Sequence, residues 1–237
     1  LSLLLSQFKL AANLLKRNPK ACMWAHHVIR GGRVAWLCLF FVLTHCGPPP
    51  RDEWKLLADE FASSWQAAGI AEEGRVTIKG GEITLDVGQP MTGARFTAWQ
   101  SAKLPRSRYE IEFEAMRVEG NDFFGSVTFP VKDSHVTLII GGWGGTLVGI
   151  SSIDDLDASE NTTMGNAFFK NNEWHKVRVE VRNEDLRVWI GGKLFVNTSI
   201  KGRKLGLRAG DIEKCAPFGF TTYATRARVR GVVVRRL

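Results

Sequence analysis

Alternation is the feature that most limits what this chain can fold into. Residues 109–118 read YEIEFEAMRV, with Tyr109, Ile111, Phe113 and Ala115 pointing one way and Glu110, Glu112, Glu114 and Met116 the other. Successive side chains of a strand face opposite sides, so a period of two with one apolar row marks a strand that covers a core. The pattern recurs at 75–79 (RVTIK), 82–87 (EITLDV), 174–182 (WHKVRVEVR) and 227–235 (ARVRGVVVR). Shorter runs at 95–101, 124–129, 135–140, 146–150, 186–190, 193–197 and 219–223 fill the intervals. Gly80-Gly81 and Gly191-Gly192 each separate two runs, a tight-hairpin signal. Residues 59–69 open with a short helix or an extended stretch, and no long helical period follows residue 70. Many short strands joined by Gly-rich turns predict an all-β antiparallel sandwich or barrel over residues 71–237.

The N-terminal part reads differently. Residues 34–43 (VAWLCLFFVL) are apolar but short of the ~20 residues a membrane-spanning helix needs. Preceded by Arg30 and Arg33, the run suits the apolar region of a signal peptide. Cys46 follows, then Gly47 and three prolines, an arrangement similar to a bacterial lipoprotein signal with Cys46 as the lipidated residue. His45 stands where such signals have a small residue, and an uncleaved short anchor is the alternative. A start at Met23 would give a leader of ordinary shape. The expected organisation is a leader over 1–47, a linker and leading segment over 48–70, and the sandwich over 71–237. The domain is then exported, periplasmic or at the cell surface, touching the membrane through the leader or a lipid.

Charge and cysteine usage narrow the function. The chain has 32 Lys and Arg against 24 Asp and Glu, a net +8. Six of those bases and no acid lie in residues 1–47, which leaves 26 bases against 24 acids in the body. A nucleic-acid partner needs a concentrated basic face, so none is expected. Arg226, Arg228 and Arg230 alternate along one strand and read as its solvated side. Only Cys215 lies beyond the leader, so the body has neither an internal disulfide nor a cysteine-based zinc site, and its core must hold the fold.

Several groups could carry chemistry. In Gly141-Gly142-Trp143-Gly144-Gly145 the tryptophan has no bulky neighbour. Its ring is either a platform for the C–H face of a sugar or a cover for the sandwich edge. The acidic loop 151–161 contains Asp154, Asp155, Asp157, Glu160 and Asn161. Its carboxylates can hydrogen-bond sugar hydroxyls or simply be solvated. Asp155, Asp157 and Ser159 are spaced like the start of a calcium loop, but Glu160 occupies the place of the expected glycine. No cofactor is expected, with calcium at this loop as the alternative. His135 is a candidate acid or base near neutral pH, or a structural strand histidine. His175, beside Trp174, is expected to face solvent. Glu110, Glu112 and Glu114 read as a solvent-facing row with basic neighbours. Adjacent members, ~6.7 Å apart on a strand, also fit an inverting glycosidase pair.

Three segments carry a family resemblance: residues 109–114 (YEIEFE), 172–179 (NEWHKVRV) and 186–193 (LRVWIGGK). Over about 72–237 the chain resembles the 3-keto-disaccharide hydrolase-like family, also called domain of unknown function 1080, within the concanavalin A-like lectin and glucanase superfamily. The resemblance implies a two-sheet jelly roll and a carbohydrate ligand. The family's Asn-Ser-Gly segment is replaced by Gly120-Asn121-Asp122-Phe123-Phe124-Gly125, so catalytic roles are not carried over. Three functions follow. The first is an exported carbohydrate-binding domain, with Trp143, Asp155, Asp157 and Asn161 contacting the sugar. The second is hydrolysis or lysis of 3-keto-disaccharides, with His135, Asp154 and Glu160 as acid–base candidates. The third is a structural or protein-interaction sandwich.

Overall fold

The alternating segments form strands that pair into two antiparallel sheets. The computed structural model describes residues 52–237. The leader, the Met23 start and Cys46 with its lipidation lie outside the described residues. In chain order the strands are β1 (Glu53–Lys55), β2 (Trp65–Ala67), β3 (Val76–Lys79), β4 (Glu82–Leu85) and β5 (Met91–Phe96). They continue with β6 (Tyr109–Glu119), β7 (Ser126–Val131), β8 (Ser134–Gly141), β9 (Leu147–Ser151) and β10 (Gly165–Asn166). The series ends with β11 (His175–Val181), β12 (Asp185–Ile190), β13 (Lys193–Ser199), β14 (Phe218–Tyr223) and β15 (Arg226–Arg236).

The first sheet has the order β13-β12-β11-β6-β15-β4-β3, with β1 also on β15. The second has the order β10-β9-β8-β7-β14-β5-β2. Neighbouring strands such as β7 and β14 are distant in sequence, which is the crossed connectivity of a jelly roll. The sandwich begins earlier than residue 71. Glu53–Lys55 pairs with Val233, Val234 and Arg235, and Trp65–Ala67 pairs with β5, so the leading segment is built into both sheets. Between β3 and β4, Gly80 and Gly81 have φ of 60° and 75°. A two-residue hairpin turn needs two positive φ values, which glycine adopts without steric cost.

The inward rows meet as one core. Tyr109, Ile111, Phe113 and Ala115 of β6 are buried, as their alternation requires. Phe113 meets Phe220 of the other sheet edge to face at 5.0 Å, and Trp99 stacks on Phe218 at 5.1 Å. The Tyr109 hydroxyl donates to Pro130 O at 2.5 Å, tying β6 to β7 across the sandwich, and burial holds its pKa well above the usual value. One side chain departs from expectation. His175 turns inward, its ring 5.1 Å from Phe169 and 5.9 Å from Phe124. Trp174 takes the outward direction instead, with the Arg230 guanidinium over its ring at 4.0 Å. A stacked cation lets that indole sit at the surface, so it has no need of the core.

The outer face of the first sheet is a lattice of opposite charges. Arg226 pairs with Asp86, Arg228 with Glu82 and Arg230 with Glu114. Arg235 contacts Glu53, Glu110 and Glu112, and Lys176 reaches Glu112. The Glu110, Glu112 and Glu114 row is therefore a set of ion-paired carboxylates on the sheet's open side.

Candidate functional site

Several outward positions of the second sheet carry small side chains. Ser126 and Thr128 on β7, Thr137 on β8, Ser151 on β9 and Thr221 on β14 are all buried. Loops lie across them. A Cβ on Gly219 of β14 would stand 2.4 Å from Ala94 O and 2.9 Å from Cys215 O, and one on Gly93 of β5 would stand 2.9 Å from Cys215 Sγ. Glycine at these places lets the segment 200–217 rest directly on the sheet. Cys215 of this segment is buried against the sheet, and that burial pushes its thiol up to about 12.

The acidic loop fastens this cover. Asp154 accepts from Arg203 and from the Lys204 N–H, Asp155 pairs with Lys204 at 2.8 Å, and Asp157 pairs with Arg208 at 2.8 Å. The Arg203 hydrogen bond, then that of the Lys204 amide, holds the Asp154 carboxyl below the usual carboxylate range. Asp157 also accepts from the Ser151 hydroxyl. Backbone pairs run the same way: Ser152 and Gly206 exchange both N–H···O bonds, and the Asp154 N–H donates to Lys204 O.

These contacts redirect the roles read from the sequence. Asn161 is buried, and its amide donates to Ile150 O, Leu156 O and Asp157 O. Its oxygen accepts from the Thr163 N–H and hydroxyl, so its polar atoms are spent on its own loop and none is left for a ligand. Glu160 is exposed and accepts from the Asp157 N–H. Asp155 and Asp157 reach separate bases rather than one centre. Among the described residues no group of three or more His, Cys, Asp or Glu side chains is placed to hold a metal ion.

The cover stops short of the strand ends, and a cavity of about 490 Å³ opens at one of them. It is lined by Met91, Asp122, Phe123, Trp143, Arg208, Asp211 and Tyr223, among others. Trp143 follows β8 in a left-handed turn, at φ 49° and ψ 53°. Trp143 is 47% exposed, so about half of it is open to solvent. The turn is pinned because the Gly144 N–H donates to Asp122 Oδ2 at 3.1 Å, while Asp122 Oδ1 accepts from the Phe123 N–H at 2.8 Å. Below it Arg117 is buried, donating to Asn171 Oδ1 and Phe169 O and lying over the Phe124 ring. Burial lowers the Arg117 pKa, and the nearby Asp122 opposes that shift.

Across the cavity Tyr223 is 40% exposed and packs on Phe123 at 5.7 Å. Two exposed aromatic rings with Asp122, Arg208 and Asp211 between them make a surface that is flat and apolar in part and rich in donors and acceptors at its rim. A ring of alternating C–H and O–H groups fits such a surface. The structure thus brings Trp143 together with Arg208, and through Arg208 with Asp157. His135 lies elsewhere, at the other end of β8, in a second cavity with Arg106. Asp122, Phe123, Tyr223, Arg208 and Asp211 were not visible as site residues in the sequence. The one available signal was the base-rich stretch with Arg203, Lys204 and Arg208, which complements the acids at 154, 155 and 157.

Similarity to known proteins agrees with this architecture. Residues 53–234 match the model of the 3-keto-alpha-glucoside-1,2-lyase-like domain. No curated protein matches the chain's sequence at a significant level. Among solved structures, the apo Crh5 transglycosylase is 10% identical, with a TM-score of 0.50 over 78% of this chain and 83% of that one. A carbohydrate-binding module, CBM66 from Bacillus subtilis, is 10% identical, with a TM-score of 0.44 over 73% and 95% of the two chains. A lichenase derived from a mouse hindgut metagenome is 8% identical, with a TM-score of 0.48 over 78% and 98%. At 10% identity the likeness to the transglycosylase is one of fold. With the family model spanning nearly all of the two-sheet domain, the chain belongs to the 3-keto-alpha-glucoside-1,2-lyase-like family.

Proposed function

We propose that this domain binds carbohydrate in the cavity beside Trp143. The observation that carries the reading is the exposed Trp143, held by a turn that Asp122 pins and sharing its cavity with the also exposed Tyr223. Stacking supplies apolar contact with a defined plane, and Arg208, Asp211 and Asp122 supply directional partners for hydroxyl groups. The apolar run at 34–43 followed by Cys46 supports placing the domain outside the cytoplasm, at the cell envelope.

The test is a glycan-array screen of the full chain, then calorimetry on a hit with the wild type and Trp143→Ala. Loss of a central aromatic contact costs about 2 kcal/mol, roughly a thirtyfold weaker Kd. The unfolding midpoint should change little, because about half of the residue is open to solvent. Equal affinity in the variant would remove the site.

Family membership favours a second reading, cleavage of a 3-keto-α-glucoside in the same cavity. A ketone at C3 acidifies the C2 proton. A carboxylate such as Asp211 takes that proton, a cation such as Arg208 stabilises the enolate oxygen, and the C1–O bond breaks as the C1–C2 double bond forms. The departing oxygen leaves with a proton from an acid or from water. Product analysis of the binding mixture separates the readings: an intact ligand supports binding alone, and an unsaturated 3-keto sugar supports the lyase.

A further inference from the structure

The second cavity, about 580 Å³ and lined by Trp99, Gln100, Leu104, Arg106, His135 and Pro217, stands at the opposite end of the covered sheet. β8 begins beside it at Ser134 and runs to the Trp143 turn, and β14 begins after Pro217 and runs to Tyr223. Six or more residues at ~3.4 Å each separate the two cavities by about 20 Å. Both open where the cover of the sheet ends, but their charges differ. In the Trp143 cavity Arg208 is paired with Asp157. In the second cavity, no carboxylate of the described residues lies within ion-pair distance of Arg106.

The Arg106 guanidinium is oriented by the backbone. It donates to Lys132 O and Ser134 O, and its Nη1 lies 3.5 Å from His135 Nε2. Three of its five N–H donors are directed this way, which leaves two for a ligand. Burial first, and the Arg106 charge second, lower the His135 pKa, so His135 is neutral at neutral pH. Lys132 and Asp133 on the adjoining turn are exposed and offset each other. The cavity therefore holds one fixed, uncompensated positive charge, an apolar wall of Leu104 and Pro217, and the Gln100 amide.

We propose that this cavity is a second ligand site that takes the carboxylate of an acidic sugar, a hexuronate, with Arg106 as its anchor. A fixed guanidinium with two free N–H groups matches a carboxylate, and the wall and amide match a single pyranose ring. The volume lies within the range of small-molecule sites. The proposal shares the carbohydrate reading of the domain but not the Trp143 site, so the two fail separately.

The experiment is calorimetric titration of the full chain with sodium glucuronate, glucose and sodium acetate. Glucuronate should bind at least tenfold more tightly than either of the others. Arg106→Gln should abolish that preference, and Trp143→Ala should leave it intact. Because Arg106 also holds two backbone carbonyls, Arg106→Gln could unfold the turn. The wild-type His135 ring, followed by NMR, gives an independent reading. Bound glucuronate offsets the Arg106 charge and should move the His135 titration midpoint upward, whereas glucose should not. The proposal is overturned if glucuronate and glucose bind alike or neither binds, if acetate matches glucuronate, if Trp143→Ala removes glucuronate binding, or if the His135 midpoint stays put.

Discussion

The two sheets treat their outer faces in opposite ways. On the first, rows of glutamate and arginine cross from strand to strand, and Trp174 and Trp189 lie under guanidinium groups. Most of the long outward side chains there carry charge or are stacked by one, with Met116 and Leu194 among the exceptions. On the second, many outward residues are Ser, Thr and Gly, with Met91, Ile139 and Leu147 in a small apolar cluster, and loops press onto them. Small side chains on a sheet face leave room for a second layer, and that layer leaves openings only where it stops. Both cavities on this sheet lie at such openings. The open face also holds a space of about 430 Å³ beside Arg178 and Trp189, but the two cavities described above both lie on the covered sheet.

The sharpest way to break the contrast is Gly219→Ala. The added methyl would meet backbone oxygens of Ala94 and Cys215, neither of which can rotate away. Overpacking at such a point should cost about 2–3 kcal/mol and lower Tm by roughly 5–10 °C. A wild-type melting curve would mean that the cover floats rather than rests on the sheet. Acid should produce a smaller effect, and on the covered sheet. The folded-state pKa of His135 is lowered by burial and then by Arg106, against an unfolded value of about 6.5. The unfolded chain takes up the proton more readily, so this contribution to stability is complete above about pH 6.5 and is lost as pH falls through that value. Urea midpoints measured from pH 7.5 to 5 should decline less steeply in His135→Gln than in the wild type. Identical slopes would exclude His135 as a source of the acid sensitivity. The smallest effect is expected on the open face. Glu82→Gln breaks the two-point contact with Arg228, yet an exposed pair contributes about 0.5 kcal/mol or less. A loss as large as that of Gly219→Ala would mean that the lattice, rather than the core, holds the first sheet together.

How far the sequence revealed this molecule depends on the range of each interaction. β6, β11, β12 and β15 could be read because each has one side in the core, and burial imposes a period of two on neighbouring residues. β1 and β2 span three residues each, too few for any period to emerge, so the sandwich was expected to start near residue 71. His175 was misplaced even though parity was enough to place it, since it shares its side of β11 with the buried Val177, Val179 and Val181. Trp143 stood out because its neighbours are glycines. Its partners did not, because Asp122, Arg208 and Tyr223 come from three separate loops and strand ends. The acidic loop shows the limit most clearly. Asp154, Asp155 and Asp157 look ready for a ligand in isolation, and only bases some 50 residues further along give them another purpose.

The strand order also constrains when the domain can form. β15 is last in chain order, yet it sits between β6 and β4 in the middle of the first sheet and holds β1 as well. Until residues 226–236 leave the ribosome, β6 and β4 each have an unpaired edge, and β1 has no partner. Unpaired edges attract the strands of other chains. The first sheet can therefore be completed only after nearly the whole domain has been synthesised. A chain cut short before β15 would be left with sticky edges rather than with a smaller sandwich.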